Sequence, residues 1–173
     1  MANTYLTRTP SSTGNDKIAT FSAWIKRSNL GGQQNFFTTF PVAERTHMFF
    51  TGTDTLHVQA VSGGSETTNV VTNRLFRDVS AWYHIVVAFD TTQAIASDRV
   101  KIYVNGQQET SLSTAIYQSQ NGTLSFNTSG RVNYIGTYNG SANNFDGVMS
   151  HVHWIDGTAY DASYFGSTDS VTG

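Results

Sequence analysis

Cysteine is absent from this chain of 173 residues, and charged side chains are scarce. Without cysteine the protein has no disulfide, no thiolate zinc site, no iron–sulfur cluster and no cysteine nucleophile. Lys, Arg, Asp and Glu make up 13% of the residues and leave a formal net charge of −2, whereas an average domain is about 25% charged. This balance excludes the basic surface with which nucleic-acid-binding domains attract phosphates.

Long apolar segments are missing as well. The longest purely apolar run, residues 85–89, is far shorter than the roughly 20 residues of a membrane-spanning helix, so we expect no membrane insertion. The N-terminus has neither the basic start nor the apolar stretch of a secretory signal peptide. Neutral polarity replaces charge, since 63 residues are Thr, Ser, Asn or Gln. The 13% of aromatic residues argue against a disordered chain.

Short segments rich in β-branched and aromatic residues alternate with turn residues along the whole chain, which is typical of β-strands. They predict strands at residues 4–8, 18–26, 35–40, 47–51, 55–61, 67–71, 81–90, 99–104, 107–110, 122–126, 132–135 and 147–155. Asn105-Gly106 predicts a hairpin with a type I′ turn. Helical periodicity is confined to residues 161–166, where Asp161 is suited to cap one short turn.

The segment 82–90 has the pattern of a central strand, because Tyr83, Ile85, Val87 and Phe89 form a fully apolar face. With only two prolines and no internal repeat or linker, we expect a single domain over residues 1–173. Its predicted class is all-β, an antiparallel two-sheet jelly-roll sandwich with at most a short helical turn near the C-terminus. The same apolar patterns place three residues in the predicted core, namely Trp24, Trp82 and Trp154.

Five segments occur in an order that resembles the laminin-G-like modules of the concanavalin A-like superfamily. They are residues 20–27 (TFSAWIKR), 82–90 (WYHIVVAFD), 100–106 (VKIYVNG), 134–136 (YIG) and 145–147 (FDG). Residues 5–12 and 152–161, followed by Tyr164-Phe165-Gly166, resemble the version of this module in tail fibres and other virion appendages of tailed phages, notably marine ones. The resemblance covers nearly the whole chain.

The resemblance implies a two-sheet jelly roll whose relatives bind sugars or protein surfaces, often as one module of a longer protein. Similar sequences continue beyond residues 168–173, so we treat the chain as a possible piece of a longer protein. A phage appendage implies localisation on the virion after assembly in the host cytoplasm. Its expected partners are a host-surface glycan and other virion subunits, with a homo-oligomer in the parent protein.

Catalytic groups are sparse in the sequence. Glycosidases of this superfamily need two carboxyl groups flanking the scissile bond, but Glu44, Glu66 and Glu109 are isolated and no predicted strand carries carboxylates two or four positions apart. We therefore predict no enzyme activity, with a glycan hydrolase built on an aspartate pair as the remaining alternative. His151 and His153 are predicted on one strand face with Met149 and Ile155, where a structural role is favoured over metal binding.

Calcium is bound at a loop rim by several relatives, and the resemblance raises it for this chain. The ion needs six to eight oxygen ligands, and no interleaved run of Asp and Asn matches a calcium loop. We predict no cofactor, with calcium as the open alternative and Asp146 as its best ligand. Asx turns are the structural explanation for the loop aspartates.

The loop 136–146 is the most sugar-like segment, because carbohydrate recognition needs a flat aromatic face and fixed hydrogen-bonding partners. Tyr138 supplies the face, and four further residues supply donors and acceptors, namely Asn139, Asn143, Asn144 and Asp146. The segment 117–121 has similar ingredients with less aromatic support. The sequence therefore predicts a non-catalytic carbohydrate-binding module, and a structural or decoration domain of the virion is the alternative.

Overall fold

The fold consists of two antiparallel sheets in a computed structural model that describes residues 4–41 and 43–167. The seven-stranded sheet has the spatial order β1 (Leu6–Arg8), β11 (Asn133–Ile135), β3 (Gln34–Thr39), β4 (Arg45–Phe50), β5 (Thr55–Ser62), β6 (Ser65–Leu75) and β10 (Leu112–Ile116). The five-stranded sheet has the order β12 (Gly147–Asp156), β2 (Ile18–Arg27), β7 (Tyr83–Asp90), β8 (Val100–Val104) and β9 (Gln107–Gln108). The predicted all-β antiparallel sandwich is confirmed.

The core lies between the two sheets. The five-stranded sheet contributes Phe21, Ile25 and Ile85, and the seven-stranded sheet contributes Phe36 and Met48, all fully buried. Strand β7 is the middle strand of its sheet, as its pattern predicts. An apolar alternation on two facing sheets is sufficient to bury one continuous cluster, because successive side chains of a strand point to opposite faces.

The structure confirms the two turns that the sequence predicts, the hairpin turn at Asn105-Gly106 and the capped turn after Asp161. Asn105 and Gly106 have φ angles of +50° and +82°, the left-handed values that a type I′ turn requires. The Asp161 side chain accepts a hydrogen bond from the Ser163 amide at 2.8 Å and caps a 3₁₀ turn at Ala162–Tyr164. A second 3₁₀ turn, Ala96–Asp98, is not predicted by the sequence.

One predicted strand is wrong and one strand is missed. Residues 122–126 form no strand, although Leu124 and Phe126 insert into the core. The Ser125 hydroxyl between them contacts the Thr39 hydroxyl at 2.5 Å. A loop whose alternate side chains are buried in the core therefore has the same apolar alternation in its sequence as a strand. Strand β10, in contrast, pairs at the sheet edge with a mostly exposed sequence that carries little apolar signal.

A β-bulge in β12 corrects the predicted strand face. Pairing with β2 shifts register between Ser150 and His153, and His151 has a φ of +48°. The extra residue reverses the alternation, so Met149 and Val152 both pack against the core while both histidines are exposed. The prediction that His151 and His153 share a face with Met149 is therefore wrong.

The tryptophans divide between core and surface. Trp154 packs against the core and stacks on Phe37 with ring centroids 4.4 Å apart, as predicted. Trp24 and Trp82 are 39% and 40% exposed, so their predicted core positions are wrong. Trp24 stacks instead on His84 at 4.9 Å. An apolar strand pattern does not reveal that an aromatic side chain lies on the outer face of the sheet.

Candidate functional site

An open groove of about 650 Å³ lies where the edge strands β1 and β12 of the two sheets face each other. We call it the β1–β12 groove. Its volume falls in the range of roughly 300–1,000 Å³ that is typical of small-molecule sites. Leu6, Val148 and Val152 supply apolar lining, and Leu6 and Val148 are 66% and 54% exposed. Two sheet edges thus leave apolar surface accessible to a ligand.

The polar wall of the groove is built by the loop 136–146 and by the connection between β2 and β3. The Ser28 amide donates to the Asp146 carbonyl at 2.9 Å, and the Asn35 amide donates to the Asn143 carbonyl at 2.9 Å. A Cβ on Gly147 would lie 2.2 Å from the Lys26 carbonyl oxygen. Only glycine permits this close approach, which fixes the position of Asp146 beside β2.

Two of the five predicted site residues line the β1–β12 groove, namely Asn144 and Asp146. The Asn144 Oδ1 atom accepts a hydrogen bond from the Thr137 hydroxyl at 2.6 Å, which fixes the amide. Within the described residues, no group donates a hydrogen bond to the Asp146 carboxylate. These two residues therefore give the groove an oriented amide and a carboxylate that is available to a ligand.

The other three predicted residues lie outside the groove. Tyr138 packs against the rings of Phe40 and His47, at centroid distances of 6.3 and 5.8 Å. Asn139 Oδ1 accepts from the backbone amides of Ser141 and Ala142 and thereby closes an Asx turn. Asn143 contributes its backbone carbonyl to the bond with Asn35. The contacts of these three residues stabilise the loop itself.

The segment 117–121, the weaker candidate, is also tied to its own loop. Gln118 is buried, and its Nε2 atom donates to the Thr123 carbonyl at 2.9 Å. The Gln118 carbonyl accepts from Arg99 Nη1 at 3.0 Å. These bonds hold the loop against Arg99, the residue that precedes β8.

The groove residues that the sequence reasoning misses include Tyr5, Asn29 and Gln33. Tyr5 is 41% exposed, and its ring packs against Tyr134 at a centroid distance of 6.1 Å. Gln33 Nε2 donates to Asn35 Oδ1 at 3.0 Å, which orients the Gln33 amide. The glycines at positions 31 and 32 mark a loop, but no local signal connects that loop with residues more than a hundred positions later.

The groove chemistry suits a polyhydroxylated ligand. Amides both donate and accept hydrogen bonds, and a carboxylate accepts them from hydroxyl groups. The apolar lining matches the C–H faces of a sugar ring. Asp146 is the single carboxylate among the described residues that line the groove, whereas hydrolysis of a glycosidic bond ordinarily uses two.

The donor set of the groove does not fit a calcium ion. Calcium takes six to eight oxygen ligands, several of them from carboxylates. The groove offers one carboxylate, and the Asn144 Oδ1 and Asn29 Oδ1 atoms already accept hydrogen bonds from Thr137 and Leu30. Across the described parts of the chain, no three His, Asp or Glu side chains cluster as a metal site would require.

A second cleft, of about 380 Å³, lies at the far end of the five-stranded sheet, and its lining includes Asp90, Asp98 and Asp161. Asp98 pairs with Lys101 at 3.1 Å. Burial raises the pKa of Asp90, but hydrogen bonds from Thr92 and Gln93 outweigh it and leave that pKa below its ordinary value. Hydrogen bonds from Ser163 likewise lower the pKa of Asp161. A glycosidase acid needs a raised pKa, so these contacts oppose that role.

Among the described residues, none of the helices is long and apolar enough to cross a bilayer.

Solved structures of low sequence identity share this fold. Domains LG4–5 of the mouse laminin α1 chain match with a TM-score of 0.65 and 10% identity, covering 95% of this chain and 43% of that one. Domain 4 of an extracellular arabinanase from Geobacillus stearothermophilus, in complex with arabinotriose, matches with a TM-score of 0.62 and 15% identity, covering 90% and 68%. The CBM40 of the Ruminococcus gnavus IT-sialidase, bound to α2,3 sialyllactose, matches with a TM-score of 0.55 and 11% identity, covering 87% and 90%.

Sequence comparison gives the family. No curated protein sequence matches this chain. The family model described as the concanavalin A-like lectin/glucanases superfamily, a laminin G model, matches residues 2–162. Since the match spans nearly the whole chain, this protein belongs to the concanavalin A-like lectin/glucanases superfamily.

Proposed function

We propose that this protein is a non-catalytic carbohydrate-binding module of a phage tail fibre or similar virion appendage, and that it recognises a glycan of the host surface in the β1–β12 groove. The observation that carries the proposal is the groove itself, with apolar lining on two edge strands and an available carboxylate beside an oriented amide. The carbohydrate-binding domains among the structural neighbours support the ligand class.

The phage setting rests on the sequence resemblance of residues 5–12 and 152–161. These two segments supply Tyr5, Leu6 and Val152 to the groove. The part of the chain that resembles phage appendages is therefore also part of the proposed binding surface, which supports a role in host recognition. On an oligomeric fibre, several weak sites raise the avidity without any new contact.

Binding chemistry follows from the groove contacts. A sugar hydroxyl donates to the Asp146 carboxylate, and the Asn144 Nδ2 group donates to a second hydroxyl. Leu6 and Val148 pack against the apolar face of the ring, and the Tyr5 ring stands at the rim. The proposal uses no calcium, since the donor set does not fit the ion.

Replacing Asp146 with alanine should weaken glycan binding tenfold or more, because a hydrogen bond to a charged group contributes roughly 1.5–3 kcal/mol. Val148→Asp should have a similar effect by placing a charge on the apolar lining. Isothermal titration with the strongest ligand from a glycan array measures both changes, with and without a calcium chelator. Chelation should leave the affinity unchanged.

Asp16→Ala is the matched control, because it removes the same charge from a side chain outside the groove. Thermal unfolding of each variant checks that the fold is retained. The proposal fails if neither the array nor whole host cells show saturable binding, or if Asp146→Ala and Asp16→Ala bind equally well.

A structural role in the virion is the second candidate function, favoured by the exposed apolar side chains of Leu6 and Val148 beside the free edge of β12. Sedimentation of the isolated domain across concentrations separates the two functions. Self-association that involves the groove residues and excludes glycan would support the structural role. Release of sugar products from host polysaccharide, abolished by an aspartate substitution, would instead indicate a hydrolase.

A further inference from the structure

The charge that the described residues contribute to the lining of the β1–β12 groove is entirely negative. Asp146 contributes a negative charge, and the other polar residues of the lining are amides or hydroxyl groups. No lysine, arginine or histidine is found among the described residues that line it. A ligand therefore meets one carboxylate and several neutral dipoles.

The nearest basic residues on β2 are Arg27 and Lys26. Arg27 is buried, its Nη1 atom donates to the Phe76 carbonyl at 2.7 Å, and its Nη2 atom lies 3.0 Å from Asp54 Oδ1. Its guanidinium is thus paired inside the protein and does not line the groove. Lys26 pairs with Val148 across the β2–β12 ladder but does not line the groove.

We infer that the groove selects uncharged glycans and discriminates against glycans that carry a carboxylate, sulfate or phosphate. This inference rests on the proposed function, because it assigns a ligand class to the same groove. An anionic group near Asp146 would be desolvated beside a like charge, and the described residues of the lining offer no cation to compensate it. A neutral sugar instead donates a hydroxyl to the same carboxylate, and such charge-assisted hydrogen bonds are stronger than neutral ones.

Pairs of a neutral and an acidic glycan test the inference. Suitable pairs are lactose with α2,3-sialyllactose, and glucan trisaccharides with the same trisaccharides oxidised to uronic acids at C6. Each pair is measured by titration with the isolated domain at low and at high salt. For the pair whose neutral member binds, we expect the acidic member to bind at least tenfold more weakly at low salt. Salt should reduce this difference, because it screens exposed charges.

Substitutions that change the charge at position 146 test whether Asp146 causes the preference for neutral glycans. Asp146→Asn keeps the size of the side chain and removes its charge. It should therefore reduce the ratio of the neutral-glycan affinity to the acidic-glycan affinity at least threefold. Asp146→Lys should reverse the preference. Asp16→Asn, outside the groove, should leave the ratio of the two affinities unchanged.

The outcomes separate the inference from the proposed function. Binding in the groove with an equal or greater affinity for the acidic glycan overturns the inference and leaves the proposed function standing. A neutral preference that persists in Asp146→Asn also overturns it, because the carboxylate is then not its cause. Absence of binding to every glycan, in a folded domain, overturns both.

Discussion

Replacing Arg27 with alanine should lower the free energy of unfolding by roughly 3–5 kcal/mol, the usual cost of removing one partner of a buried ion pair. Arg27 is fully buried at the end of β2, and its guanidinium lies 4.6 Å from the centroid of the Phe50 ring. The Nη2 atom lies 3.0 Å from Asp54 Oδ1, and the Nη1 atom donates to the Phe76 carbonyl. The substitution leaves a cavity, an unpaired carbonyl and a weakly compensated carboxylate.

The carboxylate of Asp54, the partner of Arg27, contacts residues from several segments of the chain. Asp54 has a φ of +67° and accepts a hydrogen bond from the Gly31 amide at 3.0 Å. Burial raises the pKa of Asp54, but hydrogen bonds from Gly31, Arg77 and Arg27 outweigh it and keep that pKa below its ordinary value. The loss of Arg27 therefore also loosens the loop at Gly31 that leads into the groove wall.

Arg77→Ala is the matched control, because Arg77 Nε also contacts Asp54, at 3.1 Å, but its side chain is 58% exposed. An exposed ion pair contributes about 0–1 kcal/mol. The free energy of unfolding of this variant should therefore stay close to that of the unsubstituted protein. Urea unfolding at pH 7 measures both. Equal losses in the two variants would show that burial does not determine the contribution of this ion pair.

Acidification should remove about 3 kcal/mol of folding stability between pH 6.5 and pH 4 through His47 alone, at 1.36 kcal/mol for each pKa unit. His47 lies on β4 beneath Tyr138, 3% exposed, and burial lowers its pKa from 6.5 to about 4. A hydrogen bond to Gln59 raises that pKa, and the nearby Arg45 and His57 lower it further. Burial has the largest effect.

The direction of the effect follows from proton binding. Below pH 6.5 the unfolded chain protonates His47 while the folded protein does not, so protons favour unfolding until the pH reaches about 4. In the folded protein Asn35 Nδ2 lies 3.1 Å from the Nδ1 atom of His47, and the Nε2 atom contacts Gln59 Oε1. Burial also lowers the pKa of His57 and of His84, which adds to the loss in the same direction.

His47→Gln should flatten the pH dependence, because glutamine retains an amide on the sheet face and does not titrate. His151→Gln is the control, since His151 is exposed on β12. Denaturant unfolding measured at intervals from pH 7 to pH 4 gives, for each variant, the slope of the free energy of unfolding against pH. A slope for His47→Gln as steep as that of the His151→Gln variant would contradict the assignment.

Local pattern in the sequence is sufficient to predict the fold class, most strands and the hairpin at Asn105-Gly106. These features depend on neighbouring residues, because strand alternation and left-handed turn positions are encoded within a few positions of the chain. The buried centre of β7 is predicted for the same reason. For the candidate site, the Asn-rich loop suggests Asn144 and Asp146, which line the groove; their role in binding stays a prediction.

Other features depend on contacts between distant segments, which only the tertiary structure decides. One extra residue at His151 reverses the faces of β12, and Phe126 reaches the core from a loop rather than from a strand. The β1–β12 groove brings Tyr5, Gln33 and Asp146 together from three distant parts of the chain. Pattern within a strand indicates that one face is apolar, but the pairing of strands determines which side chains are buried and which exposed side chains share a surface.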